Sequence, residues 1–436
     1  MNKKALVEKY DKLLNSKYAF WYYALFFFIF VILYNSWFVE PMAEWRVDPA
    51  TYTQHLVDYS FGFCTKFLPG AIYHLFFKEV YENQLNVYLT VLILVFFAVL
   101  SVFLARAITM LKTPKEKLIL FILIIFYLSG PSTFAIYTEE FGMLDFYWIL
   151  FALLFFAFIR NDYLKFLIPI VFALTLLVHF SSVATYVLLF ALILLFEACK
   201  SEKKKNRTGY GVLFVFSVIL TAVMFVYFLT TENSNLVYDM NTFNKQLALR
   251  DNSHYNFTVY FNYAFYNDYT NSEVNNPYIW VNPEELIPAI EGKLSPKVSL
   301  LFGRVITQFI FNLKLFGIFP ELIMKLFIAV CTCAPLYVMF VMYWWHKFRE
   351  DKGLVRLVYF LAPFQVFVTV LAGVLCSADM GRWAGHAFLV QFTLVLYVVL
   401  REHDLMWFKD RFRNFTYGFL MIYYAIYVLV YIPAYS

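Results

Sequence analysis

The sequence predicts an all-α, polytopic integral membrane protein with about eleven transmembrane helices plus outer-face interfacial helices. Three observations carry this. The 436 residues are 62% hydrophobic and 15% charged, with a mean hydropathy of +0.65, well away from the roughly 25% charged residues of soluble domains. Apolar runs long enough for a helix to cross the hydrocarbon core, about 20 residues, recur along the chain. Lys and Arg are bunched in every second connection between those runs.

The runs lie near 18–38, 86–106, 118–136, 143–160, 164–180, 182–199, 210–230, 322–345, 357–376, 384–401 and 415–433. The first is long, rich in Phe and Tyr and lacks a small-x-small site after it, so it reads as an uncleaved span and not a signal peptide. Six basic clusters orient the set: Lys3 to Lys17, Arg106 to Lys117, Arg160 and Lys165, Lys200 to Arg207, Lys347 to Arg356, and Arg401 to Arg413. All fall in alternate connections, so one assignment places them together in the cytoplasm with the N-terminus inside. The chain is then a multi-pass protein of the cytoplasmic membrane. Its net charge of +5 is explained by topology and anionic headgroups, and implies no nucleic-acid partner.

Three outer segments are longer or richer than turns. In 39–85 the second half alternates apolar and polar residues, as an interfacial helix does. The segment 231–321 opens with a polar, Asn- and Tyr-rich stretch with prolines at 277, 283, 288 and 296. It continues into VSLLFGRVITQFIFNLKLFGIF, where Arg304 and Lys314 would each cost about 2.5–3.5 kcal/mol at the bilayer centre. That run, 298–319, therefore reads as interfacial or re-entrant. The third segment, LCSADMGRWAGH at 375–386, joins two late spans. No repeat of fixed period is present, and the five scattered cysteines support neither a zinc site nor a disulfide framework.

Ionisable groups at span mouths are functional candidates by default, because charge at membrane depth is expensive. Asp48, with Glu44 and Arg46, can act as general base for an acceptor hydroxyl; alone, a solvated loop charge before Pro49 reads as well. Glu139 and Glu140 could hold a divalent cation. Asp145 could join them on a sugar or complement the positive end of a helix dipole. His179, in LLVHFSSVATY, can orient or donate to a phosphate oxygen, or cap backbone. In Asp379-Met-Gly-Arg382-Trp383, followed by His386, the guanidinium suits phosphate and the indole offers a flat face for a sugar or lipid boundary. The plainer reading there is an Asp379 N-cap paired with Arg382 beside an ordinary interfacial tryptophan.

What favours chemistry is convergence on the outer side, where carboxylates, arginine and aromatics suit a charged lipid-linked sugar. Four motifs, Asp48 followed by GFCTKFLPGAIYHLF, then FGMLDFYWILFALLF, LLVHFSSVATYVLLF and ADMGRW, resemble those of bacterial polytopic glycosyltransferases of the GT-C type and the related capsule and O-antigen polymerases. The resemblance implies transfer from a polyprenyl-phosphate or -diphosphate sugar on the outer face of the membrane. It implies Asp48 as the first-loop acid, and Arg382 or Lys66 as the phosphate holder. The chain departs from the commonest form in lacking an Asp-x-Asp pair at 44–48 and in carrying Lys66 where arginine is expected. No cofactor is required, a divalent cation being the one metal the motifs allow. The partners are the lipid-linked sugar and the bilayer. Two rival classes remain at this stage: a transporter or flippase for a lipid-linked glycan, which would want midplane polar groups and paired broken helices, and a non-catalytic subunit of a glycan assembly complex.

Overall fold

The computed structural model describes residues 18–39, 41–47, 49–130, 141–231, 236–252, 320–376, 380–414 and 422–427. The run 415–433 lies mostly outside the described residues; each of the other ten apolar runs is helical over part or all of its length, and with shorter helices between them these make up the described α-helices. They are α1 (Ala19–Tyr34), α2 (Pro49–Leu56), α3 (Leu68–His74), α4 (Glu82–Thr109), α5 (Pro114–Tyr127), α6 (Asp145–Ile159) and α7 (Ile168–Val178). There follow α8 (Tyr186–Lys200), α9 (Lys204–Thr231), α10 (Met240–Ala248), α11 (Pro320–Glu350), α12 (Val355–Cys376), α13 (Met380–Glu402) and α14 (Leu405–Asn414). Among the described residues, five stretches are long and apolar enough to cross a membrane: Ala19–Phe38, Glu82–Thr109, Lys204–Phe228, Val355–Gly373 and Arg382–Glu402. The protein is an all-helical, multi-pass membrane protein.

Local chemistry sets several boundaries. Thr113 and Glu116 close a capping box ahead of α5, with Pro114 at its first position, where a missing N–H costs nothing. Asp239 caps α10 by accepting from the Thr242 amide at 2.8 Å.

The helices pack as neighbours in a bundle, α1 on α4, α8 on α9 and α12, α6 on α7, and α12 on α13. Side chains that face outward are apolar as well as those that face in. On α9 the exposed residues Val212, Val215, Phe216, Ile219, Val223 and Val226 recur at helical spacing. Such a face is unfavourable in water and favourable against lipid tails.

Four of the six basic connections gather at one end. Lys165 Nζ reaches Asn206 Oδ1 at 3.4 Å, Lys200 lies 2.7 Å from Asp351 and 3.0 Å from Glu402, and Lys347 lies 3.4 Å from Glu402 and 3.5 Å from Asp404. Buried Glu197 accepts from Tyr397 at 2.8 Å, Arg401 at 2.9 Å and Ser201 at 3.0 Å. Four connections far apart in sequence therefore meet, as the alternation of charge requires.

At the opposite end, segment 39–85 carries the two short helices α2 and α3, the second of them in the half where the alternation lies. Their apolar residues turn inward: Tyr52, Leu56, Val57, Phe67 and Tyr73 are fully buried. Residues 236–252 bridge to this segment. Val237 N donates to Phe61 O at 2.9 Å and Val80 N to Arg250 O at 3.3 Å. Arg250 Nη1 donates to Asp58 Oδ2 at 2.9 Å and to Leu56 O at 3.1 Å, and Nη2 donates to Ser60 Oγ at 3.1 Å. Its guanidinium lies 4.8 Å from the Phe61 ring centroid. The run 298–319 lies outside the described residues.

Candidate functional site

The first turn of α6, the loop after α7, the first turns of α13 and the loop before α3 converge at the end opposite the basic connections. Gly142, at φ 80°, makes the turn into α6; a Cβ there would sit 2.3 Å from Leu89 Cδ1 and 3.0 Å from Thr51 Cγ2. Only glycine takes that backbone conformation with so little room. The turn seats Asp145 at the start of α6, where the helix dipole favours a carboxylate.

Arg382 and His386 stand four residues apart, on one face of α13. Both reach Asp145 Oδ2, His386 Nε2 donating at 2.9 Å and Arg382 Nε lying at 3.0 Å as an ion pair without hydrogen-bond alignment. The dipole-complement and ligand readings of Asp145 are thus joined by a third role, that of holding the Arg382 and His386 side chains in place. His386 is almost fully buried, whereas the Arg382 side chain is about one fifth exposed, at 21%. Trp148 and Tyr186 flank the imidazole, with ring centroids 5.6 and 5.8 Å away. The Trp148 indole is itself fixed by donating to Thr175 O at 3.1 Å.

His179 follows the last residue of α7. Its Nδ1 accepts from the Ser181 amide at 3.1 Å and lies 2.5 Å from Ser181 Oγ. That pattern selects the neutral tautomer protonated on Nε2, which leaves Nε2–H as a donor. His179 interacts electrostatically with Lys66, Asp145 and Arg382 together. Lys66 is positioned by its backbone amide, which donates to Leu177 O at 3.0 Å. Lys66, His179 and Arg382 are all partly exposed; Asp145 sits behind them.

Of the residues that sequence reading nominated, Lys66, Asp145, His179 and Arg382 come together. Trp383 does not present the flat face expected of it, being only 6% exposed. Gly373 allows this, since a Cβ on it would lie 2.6 Å from Trp383 Cβ, so α12 approaches α13 closely and covers the ring. Asp48, Glu139, Glu140 and Asp379 lie outside the described residues. The residues around Asp48 are held to the same region: Val47 N donates to Asn86 Oδ1 at 2.8 Å, and Trp45 stacks on Phe141 with centroids 5.9 Å apart.

One supporting residue carried no signal in the sequence. His55, on α2, is completely buried. Its Nδ1–H donates to Thr51 O at 2.7 Å, and its Nε2 accepts from the Tyr147 hydroxyl at 3.0 Å. It links the first outer segment to α6 two residues beyond Asp145. Burial pushes its pKa down to about 4, with His74 adding to this and the Thr51 bond opposing it.

No family model matches the chain, and no curated protein and no solved structure matches it. Among the described residues, no group of three or more His, Cys, Asp and Glu could hold a metal ion.

Proposed function

We propose that this protein is a membrane glycosyltransferase or polysaccharide polymerase that takes sugar from a polyprenyl-phosphate or -diphosphate donor on the outer face of the cytoplasmic membrane. In this reading the chain crosses the membrane about eleven times, with its N-terminus inside and the α6, α7 and α13 mouths outside. The observation that carries it is the arrangement of Lys66, His179 and Arg382 in front of Asp145. The Arg382 guanidinium and the Lys66 ammonium bring two cationic side chains to this mouth, and His179 adds an N–H donor. The mouth is thus suited to a phosphate or diphosphate, whose oxygens accept from all three.

The chemistry then divides by position. Arg382 and Lys66 grip the donor phosphate, and His179 donates through Nε2–H. Asp145 orients Arg382 and His386 and is too committed to them to serve as base. Asp48 takes the proton of the acceptor hydroxyl as that oxygen attacks the anomeric carbon. The bond from that carbon to the phosphate oxygen breaks, and the phosphate leaves with the electron pair, its charge met by Arg382 and Lys66. Asp379 adds a polar contact to the sugar, and a divalent cation at Glu139 and Glu140 would strengthen the hold on phosphate.

Purified protein in lipid vesicles, supplied with a polyprenyl-linked sugar and an acceptor glycan, tests the reading. New glycosidic product is expected from wild type and is lost in Asp48→Asn and Arg382→Ala. Sugar lipid moved across the bilayer without a new linkage would instead identify a transporter, and product unchanged in both variants would remove these residues from the reaction.

A further inference from the structure

A second site lies at the other end of the molecule and is independent of the transferase reading. A cavity of about 400 Å³ opens between the α8–α9 turn and the α11–α12 turn, lined by Lys200, Arg207, Asp351, Lys352, Leu354 and Val355 among others. Asp351 is already committed, 2.7 Å from Lys200 and accepting from the Tyr359 hydroxyl at 2.8 Å. Lys200 is likewise satisfied between Asp351 and Glu402. Arg207 uses Nε on Ser201 O, which fixes the plane of its guanidinium, and neither Arg207 nor Lys352 forms an ion pair among the described residues. The lining therefore keeps two positive charges after its internal pair cancels.

The other wall is apolar. Leu354 is 62% exposed and begins a strip of exposed residues, Leu357, Leu361 and Phe364, at helical spacing up the outer face of α12. A cationic pocket that opens onto a lipid-facing apolar strip matches an amphiphile with an anionic head and acyl tails. A free phosphate has no use for the strip and underfills the cavity, which has room for more than a dozen waters at roughly 30 Å³ each.

We propose that this cavity binds the phosphate headgroup of an anionic membrane lipid, with Arg207 and Lys352 on the phosphate and the acyl chains running along Leu354, Leu357 and Leu361. The site would fasten the α8–α9 and α11–α12 turns to the headgroup layer.

Full-length protein in nanodiscs of phosphatidylcholine with trace labelled phosphatidylglycerol provides the test. Retention of the label is expected to fall about fivefold for each charge removed in Lys352→Gln and in Arg207→Gln. It should stay at the wild-type level in Lys112→Gln/Lys115→Gln, which removes two charges from a different basic connection. Lys352 is exposed and forms no ion pair among the described residues, so its variant is expected to fold; unchanged thermal melting checks this. Equal loss in the control variant would mean general surface attraction and would overturn the site, as would full retention in both pocket variants. Displacement of the lipid from wild type by an equivalent concentration of inorganic phosphate would overturn the lipid assignment in favour of free phosphate.

Discussion

Asp145 and His386 share a 2.9 Å hydrogen bond although 241 residues separate them in the chain. That bond, with the Arg382 ion pair beside it, joins the first turn of α6 to the start of α13. It turns two ordinary helix ends into one mouth.

Removing the carboxylate should disturb both of its partners. Asp145→Asn leaves His386 buried with a weaker partner and Arg382 without its counter-charge, a change that costs about 3 kcal/mol for a largely buried pair. The expected result is a lower unfolding midpoint together with loss of phosphate-dependent binding, both read on the purified protein. Wild-type stability in this variant would show that Asp145 does not organise the cluster.

Arg382 should be sensitive to shape as well as charge. Arg382→Lys keeps the charge but loses the planar fork, so donor-lipid affinity is expected to drop about tenfold or more, with a further drop in Arg382→Ala. Equal affinity of the lysine variant and wild type would mean that the site reads charge alone.

Gly142→Ala tests the turn that seats Asp145. The φ of 80° and the 2.3 Å approach to Leu89 Cδ1 leave no room for a methyl group, and such a conformation costs a non-glycine residue on the order of 1–3 kcal/mol. Thermal melting should fall accordingly, whereas Gly353→Ala, where φ is also positive but the space is open, should cost less. Equal losses would show that the close contact with α4 and α2 contributes nothing.

The segment 39–85 should loosen in acid through His55. Its folded pKa is depressed to about 4, below the unfolded value near 6.5. The unfolded chain therefore binds the proton more readily, so the stability it contributes is full above about pH 6.5 and drains away as pH falls toward 4. Asp58 acts lower in pH. Burial raises its carboxyl pKa, but the Ser60 hydrogen bonds and Arg250 more than offset this and hold it below its ordinary value. Its contribution is present above the unfolded pKa near 3.9 and is lost only as pH falls through the lower folded value. Melting curves between pH 7 and 4 should thus shift downward in wild type and much less in His55→Gln.

Arg250→Ala should free residues 236–252 from α2 while leaving the bundle intact. Two charge-assisted or carbonyl bonds on Nη1 and one on Nη2 are lost, worth about 1–3 kcal/mol together once solvent exposure is allowed for. Limited proteolysis is expected to cut this segment faster, at unchanged bundle melting. No change in cutting would mean that the Gly62–Leu236 and Val80–Asp251 bridges suffice.

Much of the architecture was legible in the chain because hydropathy and charge act locally. The apolar runs at 86–106 and 210–230 became α4 and α9 within a few residues, and four of the six basic clusters met at one end. Segment 39–85 was less legible: its alternation suggested a helix in the second half, but that Tyr52, Leu56 and Phe67 enter a protein core depends on the elements packed against them. At the site, Asp145, His179 and Arg382 stood out as ionisable groups at span ends and Lys66 entered only through the family resemblance, while the burial of Trp383 depends on Gly373 of another helix and had no signal in its own segment. His55 was invisible, since a lone histidine in a loop gives no hint that Tyr147 will meet it.

The sequence by itself determined the class of protein, a multi-pass helical membrane protein, and the place of most helices, because burial of apolar length in lipid depends on composition within a few tens of residues. Only the tertiary structure decided which of the costly groups meet. Helix packing set the 2.9 and 3.0 Å contacts of Asp145, covered Trp383, and placed two uncancelled charges in a cavity at the opposite end. Those outcomes depend on which helix faces touch, and that is a property of the packed bundle as a whole.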